Sequence, residues 1–142
     1  MSNGPTESIA ISPDAIDAMV AHARREAPNE CCGLLVGWPG RIDESIAATN
    51  LAASPSRFLL DPSDHIAFNR RLRGSGREVI GAYHSHPHSP AEPSPTDVAE
   101  AYYSDFVYVI VSLMEATRPA VRAYRIVGQR VTPVILRPVD SR

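Results

Sequence analysis

Two histidines separated by one residue, His84 and His86, and an aspartate eleven residues later, Asp97, could together bind one metal ion. A catalytic zinc site takes three protein ligands and leaves its fourth position to water. In an extended segment, residues i and i+2 point to the same side, so both imidazoles can face one ion. Pro87 favours an extended conformation at His86 and stiffens the exit from this segment. The spacing therefore predicts a metal-dependent hydrolase.

The aspartate and its neighbours also have a purely structural interpretation. Ser94-Pro95-Thr96-Asp97 is typical of a helix N-terminus, with Ser94 as the N-cap and Asp97 near the third helical position. Such a pair resembles a capping box, which satisfies backbone donors and needs no metal. A His-x-His pair taken alone is also more often not a site. The metal hypothesis is favoured because several residues of types that bind metals occur together in a stiff loop between a buried strand and a helix.

Hydrolysis also needs a carboxylate that takes the proton of the attacking water and passes it to the leaving amine. Glu30 is the best placed by sequence, because it opens the apolar segment 31–36, which is expected to be a buried strand. A carboxylate there is either a solvated strand end or a tuned catalytic group. Glu92 in the proline-rich loop and Glu100 on a short helix are the nearer acids, but one lies in a flexible segment and the other is expected to face solvent.

Length and composition fit one compact domain in the cytoplasm. The chain has 142 residues, and its net charge of −2 argues against nucleic acid or an anionic membrane as the main partner. No apolar run approaches the roughly 18 residues of a membrane span, and the N-terminus lacks the pattern of a signal peptide. Its two cysteines, Cys31 and Cys32, are adjacent and are expected to be reduced packing residues. We expect residues 1–7 to be disordered and residues 8–142 to form the domain.

Strands and helices are expected to alternate along the chain. Apolar patterning predicts strands over 8–12, 31–36, 42–51, 58–60, 78–83, 106–113, 121–126 and 131–136. Capping residues and prolines predict helices over 13–27 and 61–73 and a short helix after Ser94. Ile66 and Tyr102 are among the helical residues expected to face the core. The histidine pair then follows a strand, and the aspartate lies at the start of a helix.

Two segments of this chain, NECCGLLVG and GAYHSHPHSPAEPSPTD, resemble the JAMM motif, also called the MPN-plus motif, of zinc isopeptidases and peptidases. The pattern is a glutamate, then His-x-His-Pro, six residues, and Ser-x-x-Asp. All five functional positions are present: Glu30, His84, His86, Ser94 and Asp97. The resemblance covers most of the chain and is strongest to the short prokaryotic members. It implies, and the strand–helix alternation permits, an α/β (α+β) fold: a single domain with a curved, mostly antiparallel sheet flanked by helices.

The resemblance also implies a role for each of the five positions. His84, His86 and Asp97 would bind one zinc ion per chain, with water in the fourth position. Glu30 would act as general base and then as general acid, and Ser94 would donate a hydrogen bond to the oxyanion. The protein is thus expected to be a zinc metallopeptidase.

The expected substrate is the C-terminal tail of a small ubiquitin-like or sulfur-carrier protein. Members of this family cleave after the Gly-Gly tail of ubiquitin-like proteins, and some bacterial members process sulfur carriers. The chain lacks the insertions with which eukaryotic relatives grip linked ubiquitin. A basic cluster, Arg70, Arg71 and Arg73, is either a solvated helix face or a contact for an acidic ubiquitin-like surface. The oligomeric state stays open, a homodimer included.

Two other functions compete with this one. Some relatives with this fold have lost metal ligands and serve as non-catalytic scaffolds or protein-binding modules, which would contain no zinc after purification. The five intact positions argue against that alternative. A zinc deaminase would need HxE and PCxxC patterns, and the sequence contains neither.

Overall fold

The computed structural model describes residues 6–140, which form seven strands and three helices. The elements in chain order are β1 (Ser8–Ile11), α1 (Pro13–Glu26), β2 (Cys32–Trp38), β3 (Arg41–Ala48), α2 (Pro62–Leu72), β4 (Glu78–His86), α3 (Pro95–Ala99), β5 (Val107–Ser112), β6 (Ala120–Val127) and β7 (Arg130–Pro138). Of the expected disordered N-terminus, residues 1–5 lie outside the described range. Glu7 is described, and its carboxylate pairs with Arg125 at 2.8 Å. Within the described range, no helix is long and apolar enough to cross a membrane.

All seven strands belong to one sheet, in the order β1-β3-β2-β4-β5-β6-β7. β1 pairs in parallel with both β3 and β7, and β4 pairs in parallel with β5. The other four pairings are antiparallel. The expected α+β fold with a mostly antiparallel sheet is confirmed. The sheet differs from the expected curved sheet because β1 bonds to both end strands and closes it into a barrel.

The two faces of the sheet contact different apolar clusters. On one face, Met19 of α1 packs in a cluster with Tyr83 and Val109. On the other face, Ile110 of β5 packs in a second cluster with Ala91 from the proline-rich loop. Side chains alternate between faces along a strand. His84 and His86 therefore lie on the face of the second cluster, opposite to Tyr83.

The α1 face contains one buried polar pair. Nδ1 of His22 and the hydroxyl of Tyr83 are 2.7 Å apart, and both residues are buried. Tyr83 packs across β2 at Gly33, where a Cβ atom would overlap the tyrosine ring and the carbonyl oxygen of Ile46. The histidine of α1 is therefore a satisfied core residue.

Three local expectations were wrong. Residues 58–60 do not form a strand; they contribute a single β-bridge between Leu60 and Asn50. Ile66 and Tyr102 are 57% and 78% exposed instead of facing the core. Both residues line a groove on the surface. Apolar periodicity misled at Ile66 because residues that face a surface groove repeat along a helix as core residues do. At Tyr102 the expected helix is shorter than the pattern suggests, since α3 ends at Ala99.

Candidate metal centre

Three ligand atoms converge at the end of β4. Nε2 of His84 and Nε2 of His86 are 3.1 Å apart, and each lies 3.0 Å from Oδ2 of Asp97. In a tetrahedral zinc site with bonds of about 2.0–2.1 Å, neighbouring ligand atoms are about 3.3 Å apart. The three residues are also the one group of metal-binding side chains within ligand distance that the described residues contain. Their donor set and spacing therefore fit a zinc ion.

Asp97 is oriented by the start of α3. Its Oδ2 accepts a hydrogen bond from the Ser94 N–H at 2.9 Å, and its own N–H donates to Ser94 Oγ at 3.0 Å. The capping box expected from the sequence is therefore present. The same carboxylate oxygen of Asp97 takes part in the helix cap and in the ligand cluster. The capping interpretation and the metal-site interpretation of this residue are therefore compatible.

Both histidine rings are held by contacts away from their Nε2 atoms. Nδ1 of His86 lies 2.8 Å from the carbonyl oxygen of Pro90 and can only donate to it, which leaves Nε2 as the ring nitrogen that faces Asp97 and His84. The ring of Phe58 stacks on His84 with a centroid distance of 4.4 Å and an interplanar angle of 21°. Both histidines are 4% exposed. The ligands are thus oriented and largely shielded from solvent by this chain's own residues.

Glu30 lies beside the cluster because of the pairing of β2 with β4. Cys32 is opposite His84 in this antiparallel pair, so the residue two positions earlier, Glu30, lies level with His86 on the same face. Glu30 is 6% exposed, and its Oε1 has no hydrogen-bond partner among residues 6–140. An unpartnered buried carboxylate oxygen is costly, and it is free to bind a water molecule or a substrate proton.

The surroundings shift the pKa values of the two carboxyl groups, Glu30 and Asp97, in opposite directions. Burial raises the pKa of Glu30 to about 7, with His86 opposing the rise and Asp97 adding to it. Burial also acts to raise the pKa of Asp97, but hydrogen bonds from both histidines hold that pKa well below its usual range. One carboxyl group is therefore suited to proton transfer near neutral pH, while the other stays ionised as a ligand requires.

Ser85 is a structural residue of this site whose contact the sequence did not indicate. It is fully buried between the two histidines and faces away from them, as expected. Its Oγ accepts a hydrogen bond from the Cys31 N–H at 2.8 Å, and its own N–H donates to the Cys31 carbonyl oxygen at 3.1 Å. These bonds extend the pairing of β2 and β4 up to Glu30. A small hydroxyl side chain between two ligands was the only sequence signal for this contact.

The other residues considered from sequence lie outside the ligand cluster. Cys31 and Cys32 are free, buried thiols, and burial raises their pKa values to about 11 and about 12, so both are packing residues. Glu92 is exposed, and Glu100 forms an ion pair with Arg57 at 3.8 Å. The basic cluster consists of exposed residues at the end of α2: Arg70, Arg71 and Arg73.

A surface groove of about 470 Å³ begins beside His84. One wall is the 50–60 loop, which is the segment of residues 50–60 between β3 and α2, and this wall includes Phe58. The opposite side contains Ile66 of α2 and an aromatic segment that follows α3 and includes Tyr102. Since Phe58 both lines the groove and stacks on His84, the groove and the ligand cluster are adjacent.

The fold and the site together define a class of protein. Two histidines from a strand end, an aspartate from a helix start and a buried, protonatable glutamate are the residue types with which metal-dependent hydrolases bind a metal ion and transfer a proton. The family model described as prokaryotic homologs of the JAB domain matches residues 12–127 of this chain. The chain therefore belongs to the prokaryotic JAB family, in agreement with the JAMM resemblance.

Individual relatives agree with this assignment. The chain is 38% identical over 134 residues to the CysO-cysteine peptidase of Mycobacterium tuberculosis, covering 93% of this chain and 92% of that protein. It is 38% identical over 120 residues to a probable TtuB-protein conjugate cleaving protease of Thermus thermophilus, covering 82% and 75% of the two chains. Its fold is similar to that of a JAB1/MPN domain protein from Archaeoglobus fulgidus, with a TM-score of 0.60, 19% identity, and 90% and 98% of the two chains covered.

Proposed function

We propose that this protein is a zinc-dependent metallopeptidase that hydrolyses an amide bond at the C-terminal tail of a small ubiquitin-like or sulfur-carrier protein. The observation that carries the proposal is the convergence of three ligand atoms, all within 3.1 Å of one another, beside a buried carboxyl group. The names of the relatives support the substrate class, because they refer to a peptidase and to a protease that cleaves protein conjugates.

His84, His86 and Asp97 would hold one zinc ion per chain. When bound there, zinc supplies Lewis-acid activation of water and of the carbonyl group that is attacked. Asp97 enters this site already ionised, because the histidines hold its pKa low. The Nδ1–H of His86 donates to the Pro90 carbonyl oxygen. Nε2, which lies 3.0 Å from Oδ2 of Asp97, is therefore the nitrogen that would give up its proton and bind zinc.

Glu30 is assigned the proton transfer. In the hydrolysis, a bond forms between the water oxygen and the carbonyl carbon, and the carbon–nitrogen bond breaks. Glu30 would take the proton that water loses and deliver it to the departing amine nitrogen, so that the carboxylate is restored at the end. A pKa of about 7 suits both halves of this transfer near neutral pH. Its free Oε1 is the atom available for this task.

Ser94 is assigned to stabilise the negative charge that develops on the carbonyl oxygen. A serine hydroxyl can donate one hydrogen bond and accept two. Ser94 Oγ already accepts from the Asp97 N–H, so its hydroxyl hydrogen is available to the substrate oxygen. The serine can therefore cap α3 and act as an oxyanion donor at the same time.

The body of the ubiquitin-like partner is assigned to the groove beside His84. Phe58 separates the groove from the ligand cluster by the width of one ring, so a Gly-Gly tail leaving the groove would reach the metal directly. Exposed apolar residues such as Ile66 and Tyr102 give the groove the character of a protein-binding surface.

The test uses purified protein and a ubiquitin-fold carrier whose Gly-Gly is followed by a short peptide. The wild type should contain about one zinc per chain and release the peptide, as followed by mass spectrometry. Glu30→Gln should retain the zinc and lose at least about 100-fold in kcat, while Glu92→Gln, the exposed matched control, should keep both. His84→Ala should lose the zinc.

Two results would refute the proposal. Full activity in Glu30→Gln would remove Glu30 from the reaction, and stoichiometric zinc in His84→Ala would remove His84 from the ligand set. Zinc-free wild-type protein that binds the carrier without cleaving it would identify a non-catalytic scaffold instead.

A further inference from the structure

The 50–60 loop is bonded to the strand that carries the proposed base. The N–H of Glu30 donates to the carbonyl oxygen of Ser54 at 2.8 Å. The carbonyl oxygen of Glu30 accepts from the side-chain amide of Asn50 at 2.9 Å. Both main-chain polar groups of Glu30 are therefore bonded to this one loop. Since Glu30 precedes β2, the loop takes the place of the sheet in fixing its backbone.

The same loop holds the ring that covers a metal ligand. Phe58 stacks on His84 at a centroid distance of 4.4 Å. The two residues that flank Phe58 are each bonded to the Asn50 side chain: the amide donates to the carbonyl oxygen of Arg57 at 3.2 Å, and Oδ1 accepts from the N–H of Leu59 at 2.8 Å.

Asn50 is the centre of these contacts. Its Oδ1 also accepts from the N–H of Ala52 at 3.0 Å, so its amide makes two donor and two acceptor bonds and uses its full capacity. Three of the four bonds fold the loop on itself. The fourth leaves the loop and reaches Glu30. An asparagine that only stabilised the loop would not need this last bond.

We propose that Asn50 is a positioning residue of the metal centre, which joins the 50–60 loop to the Glu30 backbone and so fixes the base and the Phe58 ring relative to the histidine ligands. This inference rests on the proposed function, because it assigns Asn50 a part in presenting the base. A displacement of about 1 Å at a reacting group can lower a rate about 100-fold. Loss of the contact should therefore reduce kcat without removing the metal.

Two variants distinguish the role of the Asn50 side-chain oxygen from the role of its N–H groups. Asn50→Asp keeps an oxygen for the loop N–H groups and loses the donors to Glu30 and Arg57, whereas Asn50→Ala loses all four bonds. Asn29→Asp is the control for charge. It adds the same negative charge next to Glu30, at a half-buried position.

The variants are compared as zinc-loaded proteins on the ubiquitin-fold carrier with a peptide after its Gly-Gly. We expect both Asn50 variants to keep one zinc per chain and to lose about tenfold or more in kcat. Asn50→Asp keeps the acceptor bonds that fold the loop, so its KM should stay within about twofold of the wild type. Asn50→Ala also disturbs a wall of the groove and should raise KM. Asn29→Asp should stay within about twofold of the wild type in kcat. A kcat within twofold of the wild type in both Asn50 variants, or a loss of activity that lies entirely in KM or in zinc content, would overturn the proposal.

Two measurements test the contact between the 50–60 loop and Glu30 independently of catalysis. Amide hydrogen exchange at Glu30 should be slow in the wild type and at least about tenfold faster in both Asn50 variants. The His84 ring protons, shifted by the stacked Phe58 ring, should move in the NMR spectrum of the variants. A rapidly exchanging Glu30 amide in the wild type would overturn the proposal even if neither variant folds. A wild type that binds zinc but leaves the carrier intact would instead refute the proposed function, and the exchange and NMR data would still decide the role of Asn50.

Discussion

The buried Glu30 carboxyl group should make the metal-free protein less stable as the pH rises. Glu30 is 6% exposed, and within the described residues its Oε1 has no hydrogen-bond partner. Burial raises its pKa from the ordinary 4.5 to about 7. Glu30→Gln keeps the shape of the side chain and removes the charge. We therefore expect this substitution to stabilise the metal-free protein at alkaline pH while it abolishes activity.

The size of the effect follows from the pKa change. At about 1.36 kcal/mol per pH unit, a rise from 4.5 to about 7 means that ionised Glu30 costs the folded state about 3 kcal/mol. The folded state binds this proton more tightly than the unfolded chain does. The contribution to stability is therefore complete below about pH 4.5 and is lost as the pH rises through about 7. The glutamine variant has no such loss, so its advantage should grow by about 2–3 kcal/mol between about pH 5 and about pH 8.

Urea unfolding of chelator-treated wild type and Glu30→Gln across this pH range measures the difference directly. Glu92→Gln, at an exposed position, controls for the loss of one negative charge and should show no growing advantage. Zinc should reduce the effect, because a nearby cation favours the ionised carboxylate. An advantage of Glu30→Gln that stays constant with pH, or a variant less stable than the wild type at pH 8, would refute the assignment of an uncompensated buried carboxyl group.

Three further changes test other contacts. Ser85→Ala leaves the buried Cys31 N–H without its acceptor and should lower the free energy of unfolding by about 1–3 kcal/mol in urea titrations; an unchanged midpoint would contradict this. Tyr83→Phe leaves Nδ1 of His22 unpaired in the core and should cost a similar amount, about 1–3 kcal/mol, in the same assay. Ile66→Asp places a charge in the groove and should raise KM for the carrier at least about tenfold with kcat and zinc content unchanged; an unchanged KM would remove α2 from the partner contact.

The convergence of the three proposed ligand residues could be predicted from the sequence because the rules that place them are local. His84 and His86 share a face because a strand repeats every two residues. Asp97 is placed by capping chemistry that acts within four residues of Ser94. Neither rule needs knowledge of the tertiary fold. The same holds for the bounds of α1, where Ser12 caps the helix as its sequence predicts.

The position of Glu30 could not be predicted in this way. It depends on the pairing of β2 with β4, whose contacting residues Cys31 and Ser85 are 54 positions apart. A strand register is set by tertiary packing, and a slip by one residue would turn Glu30 to the opposite face. Only the resemblance to a family pattern connected Glu30 to the histidines. The closure of the barrel is non-local for the same reason, since it depends on β1 reaching two distant strands.

The groove could not be predicted because apolar periodicity does not distinguish a buried apolar residue from one that lies at the surface. Ile66 and Tyr102 have the spacing of core residues, yet no element of the described chain covers them. A cluster of uncovered apolar residues is typical of a surface that binds another molecule. The errors in predicting the core thus fall at the proposed partner surface, where function and burial make opposite demands on a side chain.

The short helix α3 shows how stability and function share the same atoms in this site. It has only five residues, whereas isolated helices shorter than about 12 residues are marginal in water. Its formation depends on the capping box between Ser94 and Asp97 and on packing of Val98 against the second apolar cluster. Because the Ser94 N–H binds the Asp97 oxygen that faces the histidines, ordering this helix also orders the ligand. In the proposed metal site, a carboxylate fixed in advance would lose little side-chain entropy on binding the ion, and this gives a reason for a helix too short to be stable alone to occupy this position.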